Sequence, residues 1–274
     1  MARTYLVRGM LAGLFAGLCA LGFAKLGAEP QIKRAERFEL QLDLQLRRAA
    51  PRPLVSRQVQ DTVGLGTGIA VAGVAVGGLY GLAFAGAYRR MGNSRAEVTA
   101  IVLAAAGFLG LFLVPFLKYP SNPPSVGNPD TIGHRTALYF LLVAVGLVSV
   151  SLAVMVKGRS VARLGTWNAS LLAVATFVAL VVLSYVVTPG VDEVPAGFPA
   201  TLLWKFRMAS IGTQAVLWGT LGVAFGALTE RHESSRRRRP DGSSPPRAHD
   251  EVVEKVMVAP GATSSRALRS SSDG

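Results

Sequence analysis

Six apolar stretches of about twenty residues, holding a single charge among them and parted by charged gaps, constrain this chain more than any other feature. They cover residues 9–27, 63–87, 98–117, 137–156, 164–187 and 208–228. A helix of about 20 apolar residues crosses the hydrocarbon core of a bilayer. Lipid offers no partner for a bare backbone N–H or C=O, so a single stretch of this length must satisfy them itself, as a helix. Lys25, near the end of the first stretch, is the only charge inside any of the six, and its long stem reaches back to the headgroups. The predicted fold class is therefore all-α: a polytopic membrane helix bundle of six transmembrane helices in three hairpins, residues 1–229, with a disordered cytoplasmic tail, residues 230–274. The tail turns abruptly to Ser, Arg, Pro and Gly, a composition that cannot bury enough apolar surface to offset the entropy of ordering. The first stretch resembles a signal peptide in following Arg3 and Arg8, but it is too long for a typical apolar core of one, and Lys25 interrupts the expected cleavage site.

Orientation follows from Lys and Arg in the flanks and short gaps. Arg3 and Arg8, Arg89, Arg90 and Arg95, Lys157, Arg159 and Arg163, and the tail run 236–239 fall on one side, against Lys118, Arg135, Lys205 and Arg207 on the other. Both termini are thus expected in the cytoplasm. The first gap, with seven basic residues between Lys33 and Arg57, runs against this count. From Phe38 to Leu46 that gap alternates apolar and polar residues, a strand period. Its residue types favour helix, and a lone strand has no pairing partner, so a short interfacial helix is expected.

The net charge of +13 is not a nucleic-acid footprint. Residues 1–229 hold a net +11 at membrane-flanking positions and the tail only +2; its arginine run reads as a membrane anchor after the last span. One cysteine, Cys19, excludes an internal disulfide framework, and three histidines exclude a self-contained His-rich metal site. The chain has no phosphate-binding loop of the G-x-x-x-x-G-K-[ST] type and no cluster of acid, base and nucleophile, so an enzyme is not expected. Glycines at Gly73–Gly77–Gly81 and Gly222–Gly226 recur every four residues, the spacing that lets helix backbones pack closely in lipid; a sliding surface in a transporter is the other reading.

Two gaps on one predicted external face are rich in proline, which fixes φ and makes a loop rigid. One spans VPFLKYPSNPPSVGNPDTIGHRTALYF and gathers Lys118, Tyr119, Asn122, Asn128, Asp130, His134 and Arg135. The other, VVTPGVDEVPAGFPATLLWKFRMASIGTQ, places Asp192 and Glu193 among prolines. Asp130, His134, Asp192 and Glu193 offer oxygen and nitrogen donors suited to a divalent metal. The reading that spacing alone favours is that Asp130 pairs with Arg135, and Asp192 or Glu193 with Lys205 or Arg207, in loops that merely hold shape. Inside the spans the polar candidates are Asn168 and Gln214, either functional or bridging helices. Each predicted hairpin also carries an arginine near its returning helix: Arg57, Arg135 and Arg207.

The first of these loops resembles the signature of the CbtA family, proposed cobalt transporter subunits. So do GTWNASLL in the fifth stretch, VDEVPAGFPATLLWKFRMASIGTQAVLWGTLGVAFG towards the end, and LVSRQVQDTVGLGTG before the second stretch. The likeness runs from about Leu6 to Glu230. It implies a subunit in the bacterial cytoplasmic membrane of a system linked to B12, working with a small single-span, CbtB-like partner that bears a histidine motif. Cobalt would be the transported ion, with no permanently bound cofactor; a homo-oligomer stays open. Relatives often carry acidic residues or histidine in the first external loop, and here that loop has no histidine. The alternative function is a non-transporting membrane scaffold whose external loops bind a partner protein.

Overall fold

A computed structural model describes residues 2–45, 64–88, 95–124 and 126–238, with the backbone alone at residue 129 and over 232–238. Among the described residues every regular element is helical: α1 (Ala2–Gly27), α2 (Glu29–Gln45), α3 (Leu65–Tyr88), α4 (Ala96–Lys118), α5 (Ile132–Val187) and α6 (Ala200–Arg238). Five of them, all but α2, are long and apolar enough to cross a membrane. The chain divides into two units, Met1–Arg231 and His232–Gly274. The α6 backbone is helical to Arg238. The rest of the tail, the basic cluster 47–57 with Arg57, and Arg89 and Arg90 lie outside the described residues.

The α1–α3 contact shows why so many glycines sit in apolar stretches. Gly9, Gly13 and Gly17 of α1 face Gly73, Gly77 and Gly81 of α3. A methyl group placed on Gly9 would lie 2.1 Å from the carbonyl oxygen of Gly77, and one on Gly13 would lie 2.1 Å from that of Gly73. No side chain fits there, so the backbones themselves form the interface. The packing expected for the 73–77–81 ladder is present, and the sequence reading missed only its partner on α1. Gly222 and Gly226 of α6 likewise lie against α4, beside Ala104 and Glu97. Between α3, α4 and α6 the core is aromatic. Phe225 packs edge-on to Tyr80 and Phe84, with ring centroids 5.2 and 4.8 Å apart. The buried Tyr80 hydroxyl donates to the Ala100 carbonyl, so its polar tip is satisfied.

Within α4, residues Phe108–Leu113 form a π-helical turn. Pro115 follows two residues later; it has no N–H for the carbonyl four residues earlier, and a widened turn relieves the clash its ring would make there. Pro115 therefore sits inside a helix, and the rigid loop expected around it starts only at Tyr119.

The largest departure from expectation is α5. The gap carrying Lys157, Arg159 and Arg163 was expected to separate two helices, yet it is helical throughout. It holds no proline, and its residue types sustain a helix. The break falls instead on one residue, Gly165, at φ 74° and ψ 167°. A methyl group on Gly146 would sit 2.0 Å from the Gly110 carbonyl oxygen of α4. The Tyr185 hydroxyl donates to the Val114 carbonyl, one turn further along α4. A straight helix would hold residues 146 and 185 about 58 Å apart at 1.5 Å per residue. Both contact one short stretch of α4, so α5 reverses direction between them.

The exterior is apolar: Leu26 is 83% exposed and Val186 78%. With five spanning-length helices, this is the surface of a multi-pass membrane protein. Trp167, just past the α5 break, and Trp204, in the first turns of α6, are exposed, as tryptophans at a membrane–water interface are. The alternating segment from Phe38 lies on helix α2, as its residue types predicted, up to the last described position, Gln45.

Candidate functional site

The two proline-rich loops meet at the end of the bundle where α4 stops and α5 and α6 start. Lys118, in the last turn of α4, donates to the Tyr185 carbonyl at 2.9 Å and so caps the C-terminal end of α5, where bare carbonyls favour a cation. Tyr119 donates to the Pro189 carbonyl at 2.8 Å. Arg207, on α6, donates to Asn122 Oδ1 at 3.0 Å. Ser121 and Ser210 share a hydrogen bond of 2.8 Å. The signature residues Lys118, Tyr119 and Asn122 thus tie the first loop to α5, to the second loop and to α6.

Glu193 is the hub of the second tie. Its carboxylate accepts from Thr131 Oγ1 at 2.6 Å and from the Asn128 backbone N–H at 2.7 Å, and it faces Arg135 Nε at 3.3 Å. These partners, the Thr131 hydroxyl foremost, then the Asn128 N–H and the Arg135 charge, hold its pKa below the ordinary carboxylate value. Arg135 also donates to the Asn128 carbonyl at 3.1 Å. Its guanidinium lies over Gly127, at φ 117°, where a methyl group would come within 2.3 Å of Nη1. Glycine is required there twice over, for the backbone and for the space. The ion pair expected between Asp130 and Arg135 is made by Glu193 instead. Asp130 is exposed, and its backbone N–H donates to Asn128 Oδ1 at 3.0 Å in an Asx turn.

Between the loops lies a cavity of about 500 Å³, lined by Tyr119, Asn122, Arg135, Asp192, Glu193 and Arg207 among others. Asp192 and Glu193 are brought together there, whereas Asp130 and His134 do not line it, and His134 is exposed on the first turn of α5. Among the described residues no three His, Cys, Asp or Glu side chains converge as a metal cage. Asp192 accepts only a long bond, 3.4 Å, from the Val194 N–H. Two of the three hairpin arginines, Arg135 and Arg207, thus line one cavity. Thr131 and Gly127 are the participants that sequence reasoning missed; the positive-φ glycine beside asparagine is the signal that marks the turn.

Neither intramembrane candidate faces this cavity. Asn168 is exposed and its side-chain amide donates to the Leu164 carbonyl at 3.2 Å, across the Gly165 break. Leu164 there gains a side-chain donor at the point where the regular helix is interrupted. Gln214 is half-buried in α6.

With this geometry in hand, the family comparison is decisive. A family profile described as probable cobalt transporter subunit (CbtA) matches residues 2–230. The chain belongs to the CbtA family. No curated protein and no solved structure matches it. This CbtA chain is therefore a membrane protein of transport, with cobalt as the family's named ion, and a subunit, which presupposes at least one partner.

The lowered Glu193 pKa fixes a sign. A carboxyl whose pKa is depressed by folding stabilises the fold above its unfolded-state value, and that contribution is lost as pH falls through the depressed folded value. Acidification below the ordinary carboxylate range should therefore release the loop tie. Acid-induced loosening, read as protease cleavage within residues 119–131 of the detergent-solubilised protein, is expected in the native chain. In Glu193→Gln the loop is expected to be cleavable already at neutral pH, with little further change on acidification. Gly127→Ala should do the same through Arg135, with a strain of about 1–3 kcal/mol.

Proposed function

We propose that this CbtA chain is the membrane subunit of a cobalt uptake transporter that supplies the pathway while a small single-span partner supplies histidine ligands. The observation that carries this is the state of the cavity's acids. Glu193 is committed to Thr131, Asn128 and Arg135, and two guanidinium groups line the same space. Asp192, which accepts one long bond and feels the Arg207 charge, is the less engaged carboxylate, whereas a divalent ion takes several oxygen or nitrogen ligands. Nitrogen donors from a partner docked at this mouth complete the set, and Asp192 makes the chain's own contribution. Cobalt is substrate here, and no permanently bound cofactor is required. The chain lies in the bacterial cytoplasmic membrane with both termini inside and six crossings in three hairpins over residues 1–229, with residues 230–274 as a cytoplasmic tail. The α5 reversal and the distribution of basic residues support this arrangement.

Deleting the gene under cobalt limitation is expected to abolish most cobalt-57 uptake, and Asp192→Asn should lower uptake several-fold while leaving complex formation intact. Unchanged uptake in the deletion strain contradicts the proposal. Full uptake by Asp192→Asn removes Asp192 from the pathway and leaves the chain a scaffold at that mouth.

A further inference from the structure

A second cavity, of about 340 Å³, lies between α2 and the start of α6, and its chemistry differs from that of the first. Arg34, Arg37 and Lys205 line it together with Gln41 and Thr201, over an apolar base of Phe38, Pro199 and Leu202. All three cations are exposed, and none is ion-paired to an acid among the described residues. The placement follows from helix geometry. Positions 34, 37, 38 and 41 share one face of α2, while Glu36, Glu39 and Asp43 fall on the opposite face. Ala35 and Phe38 dock the helix on Phe198 and Leu202, with the Phe38 and Phe198 rings 5.3 Å apart. The acids therefore point away, and like charges are held together at one opening. Three uncompensated cations around a concave space repel each other unless an anion joins them. The start of α6, at Ala200, brings the positive end of the helix dipole to the same rim.

We propose that this cavity binds the phosphodiester headgroup of an anionic phospholipid at the membrane interface. Three features select a lipid over a free anion. The cavity opens where a spanning helix begins. Trp204, exposed beside Lys205, marks headgroup depth. The apolar base, Phe38 and Leu202, receives the first carbons of a lipid, which a free phosphate does not have. The lipid would clamp α2 onto the mouth, because α2 carries Arg34 and Arg37 while α6 carries Lys205.

The test uses the full chain purified in neutral detergent. The probes are phosphatidylglycerol, phosphatidylcholine and inorganic phosphate, read by native mass spectrometry and by thermal shift. Phosphatidylglycerol is expected to be retained and to raise the melting temperature, while phosphatidylcholine does neither. Removing the cations as Arg34→Gln, Arg37→Gln and Lys205→Gln should weaken retention about fivefold for each cation lost. The charge-matched Lys157→Gln, Arg159→Gln and Arg163→Gln variant should retain it. Arg34→Lys with Arg37→Lys keeps the charge and should restore most binding. Equal loss in the charge-matched variant overturns the proposal in favour of bulk attraction. Saturation by inorganic phosphate with displacement of phosphatidylglycerol overturns it in favour of a free-anion site.

Discussion

Gly13→Val and Gly77→Leu are expected to abolish accumulation of folded protein in the membrane, whereas Gly86→Ala should leave it unchanged. At Gly13 and Gly77 the first side-chain carbon alone would stand 2.1 Å from a carbonyl oxygen of the facing helix. Ordinary contact needs about 3.4 Å, so α1 and α3 would have to part by roughly an ångström along the whole ladder. A gap of that size forfeits about a quarter to a half of each dispersion contact lining it. In lipid no hydrophobic driving force compensates, because the acyl chains are as apolar as the helices. Losses from several turns add, and they exceed the few kcal/mol by which most single changes destabilise. Gly86 has nothing within 4 Å of an added carbon, and alanine there improves helix propensity by about 0.5–1 kcal/mol. Fluorescence-detected size-exclusion of the three variants separates the outcomes. Normal elution of Gly77→Leu would show that the α1–α3 contact is not the one holding the bundle.

Gly165→Ala is expected to disturb topology more than stability. With φ 74° and ψ 167°, Gly165 occupies a backbone region that is essentially closed to any residue with a Cβ. There is open space around it, so the penalty is conformational alone, about 1–3 kcal/mol. That is the amount needed to bias the reversal towards continued helix, which would pull Tyr185 away from Val114 and Lys118. Cysteine labelling at position 187 should report it. In a Cys19→Ser, otherwise native chain the site is expected to be labelled from the same side as position 132, and Gly165→Ala should lower that fraction. Unaltered labelling would place the reversal elsewhere.

How much of this was legible beforehand depended on what each feature rests on. That the chain is all-helical, with several helices long enough to cross a membrane, was readable because lipid burial acts on composition over twenty residues. The α3 glycine ladder was readable because its spacing is local. Its partner on α1 was harder, since Gly9, Gly13 and Gly17 are separated from it by about sixty residues and only the fold pairs them. The turn between the fourth and fifth stretches was misread. Lys157, Arg159 and Arg163 mark where charge leaves the bilayer, but charge does not break a helix; one glycine did. At the mouth, prolines announced rigid loops that meet, and they do. Which acid pairs with Arg135 was settled by Thr131 and Asn128, whose donors favour Glu193 over Asp130 through bonds that no spacing rule encodes.

On the proposed function, this CbtA chain carries cobalt only in company. Cobalt-57 uptake should be measured in a host lacking other cobalt uptake, with the chain expressed alone and then with the small histidine-bearing single-span protein. Background uptake is expected for the chain alone, with an increase of about tenfold or more with the partner, lost when the partner's histidines are replaced. Full uptake by the chain alone, or uptake indifferent to those histidines, would contradict it.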